Sequence, residues 1–288
     1  MAILHGHYKG YVPSILVGEG AFTKIYKATA THPHPPYGRI AALKILQAQN
    51  EEERGKIIEQ FKREASIAMS LSHPHIVGVY SYGKMGEAPV MLMEYVDGRN
   101  LKKFLYEPEK YSLSMLLRLC CKAAAGFAFV TENHIVHKDI KPDNILLSTD
   151  LATVKITDFG IAKLPDRWWR KDIFPKSGTV TRFGAISYIA PEQASGHAEF
   201  RSDVYSFGIT VDEVLTAKMD IPDRNNEDYF LRVDMRAKRK NRGLEPIIAA
   251  DLPIPHILKN AIEKATDAAP ERRFQTMREF LDVLESFL

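Results

Sequence analysis

The sequence predicts an α+β protein of two lobes: a small antiparallel-sheet lobe with one main helix, followed by a larger and mainly α-helical lobe. Two observations support this prediction. Up to about residue 95, strand-like runs alternate around turn residues, and only one stretch has helical periodicity. After Asp97–Gly98, the longer segments carry apolar residues at helical spacing.

Four segments define the strand-rich part. "PSILVGEGAFTKIYKATA" alternates on both sides of a glycine-rich turn and predicts a hairpin, while "RIAALKILQA" and "APVMLMEYV" are typical of buried strands. "EERGKIIEQFKREASIAMSLS" predicts a helix, which His73–Pro74 ends because the residue before proline is biased away from helix. The proline-rich connector "THPHPPYGR" is expected to be mobile.

Helical patterns dominate the remainder of the chain: "SLSMLLRLCCKAAAGFAFVTEN", "SDVYSFGITVDEVLT", "HILKNAIEKATDAA" and "FQTMREFLDVLESFL". A hinge is expected near Glu94–Gly98, where the character of the sequence changes. We therefore predict a single domain over residues 1–288, with an N-terminal lobe at 1–96 and a C-terminal lobe at 97–288.

Composition narrows the class of protein. The 288 residues are 45% hydrophobic and 26% charged, and a formal net charge of +3 argues against a dedicated nucleic-acid binder. The N-terminus lacks a signal-peptide layout, and no window reaches the roughly 18 uninterrupted apolar residues of a membrane span. Cys120 and Cys121 are adjacent within an apolar segment and are expected to be free core residues. We expect a cytoplasmic location and no membrane segment.

Several polar residues lie at positions that indicate either a binding or catalytic role or an ordinary structural one. The glycines of "GEGAFTKI" allow backbone N–H groups to approach phosphate oxygens, although such a turn is also what an ordinary hairpin needs. Lys44 lies in an apolar strand, where an unpaired ammonium is costly, and so it needs an anion. Glu64, on the polar side of the predicted helix, is the best candidate; the alternative is two unrelated surface charges.

A second polar cluster lies in "HIVHKDIKPDNILL". Asp139 follows the strand-like "HIVH", and Lys141, Asp143 and Asn144 follow before the apolar "ILL". A tight polar loop between two apolar pieces holds its side chains in place. After a short hairpin, "VKITDFG" places Asp158 at the end of another apolar strand.

In this order, the motifs resemble those of the eukaryotic-type protein kinase family. The resemblance covers roughly residues 8–286, and "GIAKL" and "APEQASGHAEFRSDVYSFG" are most similar to its bacterial members. The residues that carry it are Gly18-Glu19-Gly20, Lys44, Glu64, His137-Lys138-Asp139, Lys141, Asn144, Asp158-Phe159-Gly160, Ala190-Pro191-Glu192, Asp203 and Pro270–Phe274.

The resemblance implies an ATP-dependent serine/threonine protein kinase that acts on protein hydroxyl groups. Asp139 would accept or orient the proton of the acceptor hydroxyl, and Lys141 would steady the γ-phosphate. Lys44, oriented by Glu64, would hold the α- and β-phosphates. Asn144 and Asp158 would bind Mg²⁺, with Mn²⁺ as an alternative.

The resemblance also implies a nucleotide site. Ala42, Ile25 and Leu146 would sandwich the adenine, Glu94 and Val96 would offer backbone hydrogen bonds, Met93 would be the gatekeeper, and Asn100 would reach the ribose. The full set of cofactor-binding candidates is Gly18, Glu19, Gly20, Ala21, Phe22, Ile25, Ala42, Lys44, Met93, Glu94, Val96, Asn100 and Leu146. Structural roles are implied for Asp203, which would cap backbone N–H groups of the catalytic loop, and for the ion pair Glu192–Arg273.

Three positions depart from the family's pattern. Thr23 replaces the third glycine of the loop, Lys138 replaces an arginine, and Ala185 stands where serine/threonine members usually have threonine. Lysine keeps the charge but loses the bidentate fork, so activity is expected to depend less on loop phosphorylation. The departures leave open a nucleotide-binding pseudokinase that acts as a scaffold; a small-molecule phosphotransferase is a third alternative.

The segment from Asp158 to Glu192 adds candidates for regulation. Ser177, Thr179 and Thr181 are candidate autophosphorylation sites. Trp168 and Trp169 indicate either a hydrophobic anchor for self-association or ordinary packing. Further along, "RVDMRAKRKNR" is either a solvated helix face or a docking patch for an acidic partner.

Overall fold

The computed structural model of the chain describes residues 6–20, 22–47, 51–159, 187–218 and 253–288, with the side chains of residues 51–53 excepted. These residues form two compact units. The first contains the residues up to Asp97 together with Asp158 and Phe159, and the second contains Gly98–Thr157 and the described residues from 187 onward.

The first unit is built on a five-stranded antiparallel sheet with the strand order β1-β2-β3-β5-β4. The strands are β1 (Tyr11–Glu19), β2 (Thr23–Ala30), β3 (Ile40–Leu46), β4 (Val79–Met85) and β5 (Ala88–Glu94). The predicted hairpin is β1–β2, and its turn is the glycine-rich segment. Strand β4, "VYSYGKM", is not predictable from the sequence, because its apolar and polar residues do not alternate regularly.

The pairing register divides the side chains of this sheet between two faces, because residues that oppose each other on neighbouring strands share a face. Tyr26, Leu43 and Leu92 oppose one another and belong to a buried apolar cluster. The next residues along, Ile25 and Lys44, oppose each other on the other face. The strand that carries Lys44 therefore packs a core on one side and presents its cation on the other.

One helix, α1 (Glu51–Ser70), packs against β4 and β5. Of the apolar residues predicted at helical spacing, Phe61, Ala65 and Ala68 are buried and Ile57 is half-buried. The helix ends at Ser70, a few residues before Pro74, as the proline predicts.

The connector between β2 and β3, which is predicted to be mobile, contacts the sheet at its C-terminal end. The Tyr11 hydroxyl donates to the Gly38 carbonyl oxygen at 2.7 Å. The ring of Tyr37 stacks on that of Tyr80, with 4.5 Å between centroids and an interplanar angle of 4°. Two tyrosines of the sheet, Tyr11 and Tyr80, therefore attach this end of the connector to the first unit.

The second unit combines a small antiparallel sheet in the order β6-β7-β8 with most of the helices. The strands are β6 (Gly98–Asn100), β7 (Ile145–Ser148) and β8 (Val154–Ile156). The helices are α2 (Leu101–Tyr106), α3 (Leu113–Glu132), α4 (Pro191–Ala194), α5 (Phe200–Lys218), α6 (His256–Ala265) and α7 (Met277–Glu285). Side-chain oxygens of Asn100, Ser112 and Thr276 cap the starts of α2, α3 and α7.

Helix α3 is the core of this unit and packs against α7, β8 and α5. By length and composition alone it could cross a membrane, since an 18-residue window has a mean hydropathy of 1.6. However, 61% of that window is buried inside the protein, as in the core helix of a folded domain. Cys120 and Cys121 are buried on this helix as free thiols, as predicted.

The predicted strand at "HIVH" is wrong, since the structure has neither helix nor strand from Ile135 to Ile140. The reason is visible in the hydrogen bonds. The backbone N–H groups of His137 and Lys138 donate to the carboxylate of Asp203 on α5, and not to a neighbouring strand. Lys138 has φ of 68°, which is also incompatible with a regular strand.

Candidate active site

A buried ionic cluster lies on the first unit. Lys44 of β3 is only 6% exposed. Its Nζ lies 2.6 Å from Oε1 of Glu64 on α1 and 3.4 Å from Oδ1 of Asp158. Glu64 is therefore the anionic partner predicted for Lys44, and Asp158 is a second anionic partner.

The pKa values of this cluster follow from burial and from the charges in contact. Burial alone would lower the pKa of Lys44, but Asp158 and Glu64 outweigh it and hold that pKa above its ordinary value. Burial raises the pKa of Glu64 to about 7, although Lys44 pulls it down. Lys44 is therefore a fixed cation, and the pKa of its partner Glu64 lies above its ordinary value.

Asp158 combines an open side chain with an unusual backbone. Its side chain is 43% exposed although one oxygen contacts Lys44. Its φ of 70° lies in the left-handed region, which aspartate enters more readily than most residues. Strained backbone at an accessible carboxylate is typical of functional sites.

The second polar cluster surrounds Asp139 in the second unit. Lys141 Nζ lies 2.8 and 2.6 Å from the two carboxylate oxygens of Asp139. The side-chain amide of Asn144 donates to the Asp139 carboxylate at 2.9 Å and to the Asp139 backbone carbonyl at 2.8 Å. Both N–H groups of Asn144 are thus used, and its side-chain oxygen is the atom that it can offer to a metal ion.

The backbone beside Asp139 is held from α5 and from the ring of His137. Asp203 accepts from the N–H groups of His137 and Lys138 at 2.7 and 2.8 Å. His137 Nδ1 accepts from the N–H of Asp139 at 3.3 Å, and its Nε2 lies 3.3 Å from the Thr157 carbonyl oxygen. This pattern fits the neutral ring with its proton on Nε2. Burial raises the pKa of Asp203 to about 7 in spite of the two backbone donors.

The ion pair at the start of α4 is bidentate. Arg273 Nη1 and Nη2 donate to the two oxygens of Glu192 at 2.7 and 2.9 Å. The hydroxyl of Ser202 on α5 donates to the same carboxylate at 2.6 Å. Burial would raise the pKa of Glu192, but Arg273 and Ser202 hold it below its ordinary value. Arg273 is 1% exposed, so the fork is a buried brace.

A comparison with protein families gives a match over most of the chain. The family model described as protein tyrosine and serine/threonine kinase matches residues 14–281. The chain belongs to this kinase family. The match confirms the resemblance inferred from the motifs, and members of the family use ATP and a divalent metal ion and act on proteins.

Curated bacterial relatives are named serine/threonine-protein kinases. A probable one from Clostridium acetobutylicum is 33% identical over 94% of this chain and 38% of its own length. PrkC of Bacillus subtilis is 31% identical over 91% of the chain and 38% of its own length. PknB of Mycobacterium tuberculosis is 31% identical over 92% and 40%. The chain thus spans about two fifths of the length of these relatives.

A solved structure confirms the predicted fold class. The PknI kinase domain of Mycobacterium tuberculosis, crystallised as a single-substitution mutant, matches with a TM-score of 0.66. The match covers 97% of this chain and 96% of that one, at 23% identity. Its likeness concerns the fold alone.

Within the kinase fold, the register puts three nucleotide-site candidates on the face of Lys44. Ile25 opposes Lys44, and Ala42, the next residue on that face of β3, opposes Met93. The N–H of Glu94 donates to the Gly78 carbonyl oxygen at 2.8 Å, so a backbone bond from Glu94 to adenine has to come from its carbonyl. Val96 follows β5, and Leu146 lies on β7 in the second unit.

Asn100 has a structural task that the sequence did not indicate. Its Oδ1 accepts from the Lys103 N–H at 2.9 Å and caps α2. A contact with ribose could use its NH₂ group or the second lone pair of Oδ1 without loss of the cap.

The glycine-rich turn is short and internally bonded. Gly18 and Glu19 end β1, and the Gly20 N–H donates to the Thr23 carbonyl oxygen at 2.8 Å. Phe22 is exposed at the tip. A Cβ on Gly20 would come within 3.1 Å of the Thr23 hydroxyl, so the departure at Thr23 leaves little room for a side chain there.

Sequence reasoning missed the residues that tie α4 to its surroundings. Gln193 donates through Nε2 to the Lys138 carbonyl oxygen at 2.7 Å, and Ser202 supports Glu192. The only sequence signal was their proximity to "APE" and to Asp203. Several predictions lie outside the described residues: those for Ala21, Ser177, Thr179, Thr181, Ala185, Trp168, Trp169 and the basic stretch 232–242.

Proposed function

We propose that this chain is an ATP-dependent serine/threonine protein kinase, which transfers the γ-phosphate of Mg-ATP to serine and threonine hydroxyls of proteins. The observation that carries the proposal is Lys44, a buried cation held by Glu64 and Asp158. A cation fixed in this way is suited to nucleotide phosphates. The printed names of the curated relatives support serine and threonine as acceptors.

The residues present fit ATP with a divalent cation. Asp158 offers an accessible carboxylate, and Asn144 offers a side-chain oxygen whose NH₂ group is already committed to Asp139. Oxygen donors of this kind suit Mg²⁺, and Mn²⁺ is an acceptable alternative. When bound, the metal would neutralise phosphate charge during transfer.

Lys44 and Glu64 have different roles at the nucleotide phosphates. In this proposal, Lys44 binds the α- and β-phosphates, and Glu64 holds the ammonium in place through the 2.6 Å contact. Because both side chains are buried, water competes little for the ammonium. Ile25, Ala42 and Met93, which lie on the same sheet face, would contact the adenine.

Asp139 and Lys141 act at the acceptor. Asp139 would orient the serine or threonine hydroxyl and take its proton, while Asn144 and Lys141 fix the carboxylate. Lys141, which lies 2.8 Å from Oδ1 of Asp139, would bring positive charge beside this carboxylate and so steady the γ-phosphate.

Three broader points belong to the same proposal. Residues 1–288 would form one kinase domain, with lobes at 1–96 and 97–288. The location would be the cytoplasm, where ATP is available. Ser177, Thr179 and Thr181 would be sites of autophosphorylation, and Trp168 and Trp169 would support self-association.

The test is phosphate transfer from γ-labelled ATP, with Mg²⁺, to the protein itself and to a generic basic protein substrate. Asp139→Asn and Lys44→Met serve as matched variants, because each removes one charge at similar side-chain size. We expect label in the wild type and its loss by at least about 100-fold in both variants. Nucleotide binding without any transfer in the wild type would overturn the proposal and leave a scaffold.

A further inference from the structure

We infer that Gln193 is a positioning residue for Asp139, because its side-chain amide holds the peptide bond that precedes Asp139. The inference rests on the proposed phosphotransfer, since it concerns the group that meets the acceptor hydroxyl. Gln193 lies on α4 and is 3% exposed. Its Nε2 donates to the Lys138 carbonyl oxygen at 2.7 Å.

The Lys138–Asp139 peptide is held at both of its polar atoms. Its carbonyl oxygen accepts from Gln193, and its N–H, which belongs to Asp139, donates to His137 Nδ1 at 3.3 Å. One residue earlier, the N–H of Lys138 donates to Asp203 at 2.8 Å. Since the peptide unit is planar, bonds at both ends fix its orientation and so the direction in which the Asp139 side chain leaves the backbone.

This support is needed because Lys138 is strained. Its φ of 68° lies in the left-handed region, where a lysine gains no local hydrogen bond of the kind that asparagine or aspartate can make. Such a conformation persists only where the surroundings impose it. Asp203 accepts a hydrogen bond from the N–H of Lys138, and Gln193 donates one to the carbonyl oxygen of Lys138. Without Gln193, the carbonyl side of this strained residue loses its hydrogen bond.

The side-chain oxygen of Gln193 also supports this inference. Among the described residues, its Oε1 is buried without a hydrogen-bond partner. A buried, unpaired amide oxygen is unfavourable, and an apolar side chain of the same size would avoid it. The stabilising contribution of this glutamine therefore lies in what its NH₂ group holds.

Gln193 is itself well anchored. The preceding residue, Glu192, is bound by both nitrogens of Arg273 and by the hydroxyl of Ser202. The Ser202 contact fixes the start of α4 to α5, which also carries Asp203. The two supports of Lys138 thus come from one rigid part of the second unit.

The test replaces Gln193 by methionine, which has a similar volume but no NH₂ group. The matched control is Gln275→Met, since Gln275 Nε2 also donates to a backbone carbonyl, that of Arg273, at 2.8 Å. We expect kcat of Gln193→Met to fall by about 10- to 100-fold, the range for a small misplacement of a reacting group. The KM for ATP should stay within about twofold, and Gln275→Met should match the wild type in both.

A second readout does not depend on activity: hydrogen–deuterium exchange of the Lys138 and Asp139 amides. We expect faster exchange in Gln193→Met and no change in Gln275→Met. Unchanged exchange in Gln193→Met overturns the inference, and so does an active protein whose kcat is unaffected. If the wild type transfers no phosphate while exchange still accelerates, the positioning role stands and the proposed phosphotransfer fails.

Discussion

Two carboxylates hold the buried ammonium of Lys44: Glu64 at 2.6 Å and Asp158 at 3.4 Å. A lysine in an apolar strand needs an anion, and this requirement identified Glu64, which lies 2.6 Å away. The contact between Lys44 and Asp158 spans 114 positions and was not predicted, since the family's motif implied only Mg²⁺ binding for Asp158. Gln193 and Ser202 could not be predicted, because nothing in their local sequence shows which distant carbonyl or carboxylate their side chains reach.

Glu64 makes the site sensitive to pH. Burial raises its pKa to about 7, so Glu64 takes up a proton as the pH falls below that value and its hold on Lys44 weakens. We expect kcat/KM for ATP to fall about tenfold per pH unit below that point, the slope of one ionisation. Glu64→Gln should be less active and should lack this acid limb.

The measurement is a pH–rate profile of both proteins at constant ionic strength and saturating metal. A limb that persists in Glu64→Gln belongs to the nucleotide or to another group. The explanation fails if the variant loses activity with falling pH as steeply as the wild type does.

Helices and strands could be predicted from the sequence where the spacing of their apolar residues is regular. The pattern of Phe61, Ala65 and Ala68 gave α1, and the alternation around the glycine-rich turn gave β1 and β2. "HIVH" failed because a short apolar run can be a buried strand or a buried loop, and here a carboxylate of α5 takes the N–H groups that a strand would use. Only the tertiary structure distinguishes the two.

Two glycines show that the same substitution can have opposite effects in different elements. A Cβ on Gly98, the first residue of β6, would overlap the carbonyl oxygen of Leu147 on β7, whereas a Cβ on Gly55 of α1 would meet nothing within 4 Å. We expect Gly98→Ala to destabilise the protein by about 1–3 kcal/mol through overpacking. Gly55→Ala should stabilise it by about 0.5–1 kcal/mol, because alanine is the better helix former.

Thermal unfolding followed by circular dichroism compares the two variants directly, and each serves as the control for the other. The melting temperature should fall for Gly98→Ala and rise for Gly55→Ala. A fall of similar size in both would mean that the close approach of β6 and β7 is not what requires glycine at position 98.

For the molecule as a whole, three buried acids link folding to pH. Burial raises the pKa values of Glu64, Asp203 and Glu213 to about 7. Between their ordinary pKa values and pH 7, these three groups bind more protons in the folded protein than in the unfolded chain. Their contribution to the free energy of unfolding therefore decreases as the pH rises through this window and is fully lost above it. This is the opposite of the usual behaviour of paired carboxylates.

Glu213 is the best group for testing this linkage, because it lies outside the proposed catalytic set. It is buried on α5 and accepts a hydrogen bond from the Tyr188 hydroxyl at 2.5 Å, which a glutamine oxygen can also accept. Urea unfolding of the wild type and of Glu213→Gln at several pH values between about 5 and 8 measures the effect. The wild type should lose about 3 kcal/mol more than the variant over this range, the equivalent of one such pKa shift. Parallel pH dependence in the two proteins would show that Glu213 is ionised at neutral pH and that its burial is offset by contacts other than Tyr188.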